Sequence, residues 1–174
     1  MRHLTLITTG GTIEKTYDEM TGELTNRVSV VRRMLEQLRL EDTRISVVEL
    51  MQKDSLHMTG DDRAAIVEAV RTNAASSDAI VILHGTDTLT LTGEQLLREI
   101  PVPLTPIVLT GAMRPFEMIR SDALQNLTEA IFAAGMLADA RSPGGGGVYC
   151  AAHGRVLKFP GVKKDRERGT FVVG

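Results

Sequence analysis

Four short polar clusters hold the residues that could do chemistry. They are Thr8-Thr9-Gly10-Gly11-Thr12-Ile13, Lys53-Asp54-Ser55, His84-Gly85-Thr86-Asp87-Thr88 and Thr110-Gly111-Ala112-Met113-Arg114-Pro115. A threonine hydroxyl is inert until a base or a lowered pKa activates it. A threonine beside an aspartate, with a lysine folding in, supplies that. The carboxylate holds the lysine, and an uncharged lysine accepts a proton. Glycines let backbone N–H groups approach a ligand closely, and two glycine turns together could form an oxyanion hole. Asp54 and Asp87 suit the gripping of a ligand ammonium. Together these groups point to nucleophilic acyl transfer.

Each cluster alone also has a plainer role. Gly-Gly-Thr after a strand makes a turn and a cap, and His84–Thr88 can simply start a helix. Asp54-Ser55 fits ordinary turn chemistry. Arg114-Pro115 fixes a loop exit. The charged run from Lys163 to Arg168 reads as solvated surface. His57, His84 and His153 lack metal-ligand spacing, so no metal is expected. Chemistry is favoured because the clusters fall at one edge of the expected sheet.

The elements that must position them alternate. Strands are expected at His3–Thr9, Ile45–Met51, Ala79–Leu83, Ile107–Leu109 and Val148–Ala152. Helices are expected at Val28–Leu38, from Thr59 to about Ala75, at Thr90–Ile100 and at Ser121–Leu137. Thr59 reads as an N-cap with Asp61 and Asp62 in the first turn, and Ser121 or Asp122 as another. Thr12 to Arg27 reads as a long loop or irregular hairpin, and residues 144–147 as a glycine break. Val156–Lys158 is a candidate to pair with a neighbour. Strands separated by helices imply a parallel sheet with right-handed crossovers. The expected class is a three-layer α/β/α sandwich on an open, mainly parallel sheet, which binds ligands beyond its strands' carboxyl ends.

Composition excludes several classes. The 174 residues carry 20 basic and 22 acidic side chains, a net charge of −2, which argues against general nucleic-acid binding. The only cysteine, Cys150, cannot form an intrachain disulfide. No stretch has the roughly 20 apolar residues of a membrane span, so a cytoplasmic protein without membrane partners is expected. One domain over 1–174 is the expected organisation.

In this order and spacing, Thr9-Gly10-Gly11-Thr12-Ile13, His84-Gly85-Thr86-Asp87-Thr88 and Gly111-Ala112-Met113-Arg114-Pro115 resemble the bacterial-type L-asparaginase/glutaminase family. The resemblance covers nearly the whole chain. It implies the fold of that family's N-terminal domain and hydrolysis of L-asparagine, often also L-glutamine, without a cofactor. It makes Thr12 the nucleophile, Thr86 and Asp87 the second catalytic threonine and its aspartate, and Lys164 the paired lysine. Asp87 would also bind the substrate ammonium, with Glu14 sharing that task. Ser55 and the backbone near Gly85 would hold the α-carboxylate. Asp54 and Gly11 would complete the pocket. The Ala112 carbonyl would receive the leaving amide, and Tyr17 would be the tyrosine of a mobile loop. The resemblance also implies a homodimer or homotetramer.

The chain departs from the family pattern in places. Family members run to about twice this length, beyond single-domain size, and their smaller C-terminal domain supplies an acidic residue to a neighbour's site. The likeness is therefore to short-chain asparaginases. Leu56 stands where several longer enzymes carry a polar ligand. In the expected reaction loop 13–27 closes, bringing Tyr17 to Thr12, and Thr12 attacks the amide. Ammonia then leaves, and water activated by Thr86 and Lys164 cleaves the acyl-enzyme. Direct attack by water activated at Thr86 stays open. Two other readings compete: a non-catalytic amino-acid or nucleotide-binding module using Gly10-Gly11 as an anion nest, and an ammonia-supplying subunit of a larger amidotransferase.

Overall fold

Alternate residues of a strand point to opposite faces, and strand β5 (Ala79–Leu83) shows what this does here. Ala79, Val81 and Leu83 enter one apolar core, while Ile80 and Ile82 enter another on the far side of the sheet. A continuous apolar run is what a strand covered on both faces requires. The computed structural model describes residues 1–103, 105–140 and 146–174.

Among the described residues six strands form the main sheet: β1 (Arg2–Gly10), β4 (Thr43–Lys53), β5, β6 (Ile107–Thr110), β7 (Val148–Ala152) and β8 (Arg155–Lys158). Their order is β4-β1-β5-β6-β7-β8. All neighbours are parallel except β7 and β8, which pair antiparallel at the edge. Helices α1 (Val31–Leu35) and α4 (Ala123–Ala140) cover one face through Val31, Met34 and Leu127. Helices α2 (Gly60–Ala74) and α3 (Leu89–Glu99) cover the other through Ile66, Val70 and Leu96. The result is the expected three-layer sandwich. Two hairpins lie outside the sheet: β2 (Thr16–Asp18) with β3 (Glu23–Thr25), and β9 (Val162–Asp165) with β10 (Thr170–Val173).

Most expected elements form within two or three residues of their bounds. Thr59 caps α2 in a full capping box with Asp62, each side chain accepting from the other's backbone N–H. Ser121 Oγ accepts from Ala123 N at 3.0 Å and starts α4, while Asp122 turns to another task. Residues 12–27 fold as a short 3-10 turn and the β2–β3 hairpin, and 156–158 pair with β7. Residues 144 and 145 of the expected glycine break lie outside the described residues.

The helix expected over Val28–Leu38 is a correction, since α1 spans only Val31–Leu35. Ser29 stays outside it because its hydroxyl donates to the Glu14 carboxylate while accepting from Val31 N. A side chain that bonds its own backbone and a distant carboxylate holds the chain out of the helix.

Candidate active site

The topology makes one crevice. From β1 the chain moves outward to β4 and then returns to place β5 on β1's other side. The order reverses between β1 and β5, and ligands bind such sheets at that switch, beyond the strand carboxyl ends. Because β4, β1, β5 and β6 run parallel, all four polar clusters emerge at that end.

Glycines let the clusters touch. Gly10 (φ 91°) and Gly11 (φ 76°) both lie in the left-handed region that side chains avoid. A Cβ on Gly11 would fall 2.4 Å from the Cα and N of Gly85. One on Gly85 would fall 2.5 Å from Ser55 Oγ, and one on Gly111 2.3 Å from the His84 carbonyl oxygen. So the backbones after β1, β5 and β6 meet, with buried Ser55 pressed against Gly85.

Around this contact the groups divide. Thr12 opens the 3-10 turn Thr12–Glu14, half-buried, and no side chain among the described residues bonds its hydroxyl. Thr86 is buried. Lys164, on β9, donates from Nζ to Thr86 Oγ1 at 2.7 Å and to Asp87 Oδ1 at 3.0 Å. Arg166 also reaches Asp87 Oδ1, at 3.0 Å. The charged run that looks like surface therefore turns Lys164 into the crevice, while Arg166 reaches Asp87 from an exposed position. Ser55 Oγ accepts from Thr88 N at 3.4 Å, and its carbonyl accepts from Thr88 Oγ1 at 2.9 Å. Ala112 is fully buried.

Other expected residues are engaged or stand apart. Lys15 donates to Asp54 Oδ2 at 2.7 Å, and that bond holds the Asp54 carboxyl below the usual range. Tyr17 lies on β2, 57% exposed, with its N–H on Glu117. The structure thus brings Thr86, Asp87 and Lys164 together and leaves Tyr17 out on the hairpin. The expectation that Glu14 shares the binding of a substrate ammonium is corrected. Glu14 is fully buried and turned inward, accepting from Gly10 N at 3.0 Å and from Ser29. Burial raises its pKa despite those bonds. His84 is also buried. Its Nδ1 donates to the Gly85 carbonyl at 2.8 Å, leaving Nε2 to accept from Thr92 Oγ1 at 2.8 Å. Burial lowers its pKa to about 4, so it is a neutral strut.

Four residues of the site escape sequence reading: Lys15, Asn26, Arg166 and Asp122. Asn26 Nδ2 donates to the Gly11 carbonyl at 2.8 Å. Asp122 accepts from Met113 N (2.9 Å) and Arg114 N (3.0 Å), tying down the loop that carries Ala112. Burial pulls its carboxyl upward, but these bonds and one from His153 hold it below the ordinary range. Only Asp122 carried a local signal, as a helix cap, and that pointed elsewhere. Among the described residues no three His, Cys, Asp or Glu side chains group as a metal site. No helix there is long and apolar enough to cross a membrane.

The family model of the asparaginase N-terminal domain matches residues 3–169. The chain belongs to the asparaginase family. It is 34% identical over 128 residues to an L-asparaginase of Thermococcus kodakarensis, covering 74% of this chain and 39% of that protein. The solved structure of the thermostable L-asparaginase from that organism superposes with a TM-score of 0.81 at 31% identity, over 93% of this chain and 47% of the other. L-asparaginase 1 of Escherichia coli K12 is 31% identical over 131 residues, 72% of this chain and 38% of that protein. A glutamyl-tRNA(Gln) amidotransferase subunit of Haloquadratum walsbyi is 31% identical over 136 residues, 75% of this chain and 30% of that protein. The chain therefore spans less than half the length of each of these relatives.

Proposed function

We propose that this chain is an amidohydrolase that cleaves the side-chain amide of L-asparagine to L-aspartate and ammonia, with minor action on L-glutamine. The observation that carries it is the Lys164–Thr86–Asp87 cluster, set across the Gly11–Gly85 contact from Thr12. The similarity to L-asparaginases supports the same substrate class.

In this proposal Ser55 and the backbone at Gly85 hold the α-carboxylate, and Asp87 the ammonium. Asp54 and Gly11 line the pocket. Thr12 Oγ1 attacks the amide carbon and gives up its hydroxyl proton, the departing nitrogen takes that proton as the C–N bond breaks, and ammonia leaves past the Ala112 carbonyl with Thr12 held as an ester. Backbone N–H groups near Thr12 and Thr86 face the oxyanion. Water, relieved of a proton through Thr86 and Lys164, then cleaves the ester, returning the Thr12 hydroxyl and freeing aspartate. Hinging of the β2–β3 hairpin brings Tyr17 to Thr12 and excludes water. We take residues 1–174 as one catalytic domain, cytoplasmic, working without a cofactor as a homodimer or homotetramer.

The test is ammonia release from L-asparagine and L-glutamine, with Thr12→Ala in parallel. Release that Thr12→Ala abolishes supports the proposal. Release that survives it removes Thr12 as nucleophile and leaves water activated at Thr86. The likeness to a tRNA-dependent amidotransferase component favours one second reading, an ammonia-supplying subunit. That role predicts poor release alone and co-purification with a larger chain.

A further inference from the structure

Strands β7 and β8 are joined by the two-residue turn His153-Gly154, with φ of 52° and 75° and Ala152 paired to Arg155. Two consecutive positive φ values mark the type I′ hairpin, whose first position favours Asn, Asp or Gly. Histidine is among the side chains enriched at positive φ, so the turn admits His153, and what sets it apart there is the reach of its ring. Its ring is fully used. Nε2 lies 2.8 Å from Asp122 Oδ2, Nδ1 lies 2.9 Å from Thr170 Oγ1, and its backbone N–H donates to Asn126 Oδ1 at 3.0 Å. An ionised carboxylate only accepts, so Nε2 carries the proton facing Asp122. The Thr170 hydroxyl can donate to Nδ1 or accept from it, so the bridge stands in either charge state of the ring.

Each end of the bridge reaches the candidate site. Asp122 takes the N–H groups of Met113 and Arg114, and Asn126 Nδ2 donates to the Gly111 carbonyl at 2.8 Å. That is the loop of Ala112. At the other end Thr170 pairs with Asp165, and the next residue, Phe171, pairs with Lys164. We infer that His153 is a positioning residue that braces the Ala112 loop against the hairpin carrying Lys164. The inference rests on the proposed roles of Ala112 and Lys164. The brace acts on the groups that receive the leaving amide and move the proton, while Ser55, which holds the substrate α-carboxylate, lies outside it. Its loss therefore falls on turnover more than on affinity. The ring borders a cavity of about 340 Å³, lined by His153, Arg155, Arg168, Gly169 and Thr170, through which a free imidazole can enter.

His153→Asn and His153→Gly test this, because both residues suit the turn while neither spans from Asp122 to Thr170. Amide hydrogen exchange at Met113, Arg114 and Lys164 reads the brace without reference to activity. Faster exchange at these amides, with the thermal midpoint retained, is expected. With L-asparagine, kcat should fall on the order of 10- to 100-fold while KM stays within about twofold. Added imidazole should recover part of the turnover of His153→Gly. Unchanged exchange at both ends overturns the inference, and so does faster exchange with turnover at the parent level. Loss of protection throughout the molecule in both variants also overturns it, by making His153 a residue of general stability. A parent protein that releases no ammonia sinks the proposed function instead, and the exchange still decides the brace.

Discussion

Lys164 Nζ lies 2.7 Å from Thr86 Oγ1 across 78 residues of chain. No local propensity could place them so; the β9–β10 hairpin must fold over the end of β5 first. The same amine holds Asp87, which Arg166 also contacts. Lys164→Met keeps the length of the side chain and removes the amine. Arg166 stays to face Asp87, so fold stability should change little. Turnover should fall by about 10²- to 10⁴-fold, the range of a lost proton-transfer partner. Steady-state kcat for L-asparagine beside a thermal melt checks both halves. Parent-like turnover would remove Lys164 from the chemistry.

Gly85→Ala tests the close approach. The added methyl would sit 2.5 Å from Ser55 Oγ and 2.6 Å from Ser55 Cβ. Ser55 is buried and its carbonyl is bonded to Thr88, so it has little room to retreat. Displacing a substrate-positioning group by about 1 Å costs on the order of 10²-fold. That loss is expected in kcat/KM, with KM carrying much of it, because the group that moves is the one proposed to hold the α-carboxylate. A variant with unchanged KM would show that Ser55 does not hold substrate.

The layers were legible because they rest on local pattern. Ala79–Leu83 reads as a doubly covered strand from five apolar residues, and Thr59 with Asp62 reads as a cap from spacing alone. The glycines were legible for the same reason, each following a strand. Arg166, Lys15 and Asn26 were not, because what defines each is a partner brought in by tertiary folding. Lys164 sits in a run of charge that looks solvated, and only the resemblance lifted it out. Helix α1 fell short of its pattern for a similar reason: Glu14, distant in sequence from the helix core, captures Ser29.

His84 makes stability depend on pH. Its pKa is about 4 folded against 6.5 for a free imidazole. As pH falls below 6.5 the unfolded chain takes up the proton first, so stability is lost between 6.5 and 4 and is fully present above. The gap corresponds to about 3 kcal/mol at its largest. Glu14 acts with the opposite sign: its raised pKa adds stability at low pH, lost as pH rises through the folded value. Comparing the parent with His84→Gln removes that common background. The parent should lose more stability than the variant between about pH 7 and about pH 4.5. Equal losses would show that His84 is not buried neutral.

Cys150 should be silent in the native protein. It lies on β7 with no exposed surface, and burial pushes its thiol up to about 12. The thiolate is the reactive form, and at neutral pH almost none is present. A thiol-directed reagent should therefore leave the folded protein unmodified and its activity intact, then label one equivalent on unfolding. Labelling at the rate of a free thiol under native conditions would mean that β7 opens readily. Because β8 pairs along β7, and β7 leads into the His153 turn, that opening would also free the brace between Asp122 and Thr170.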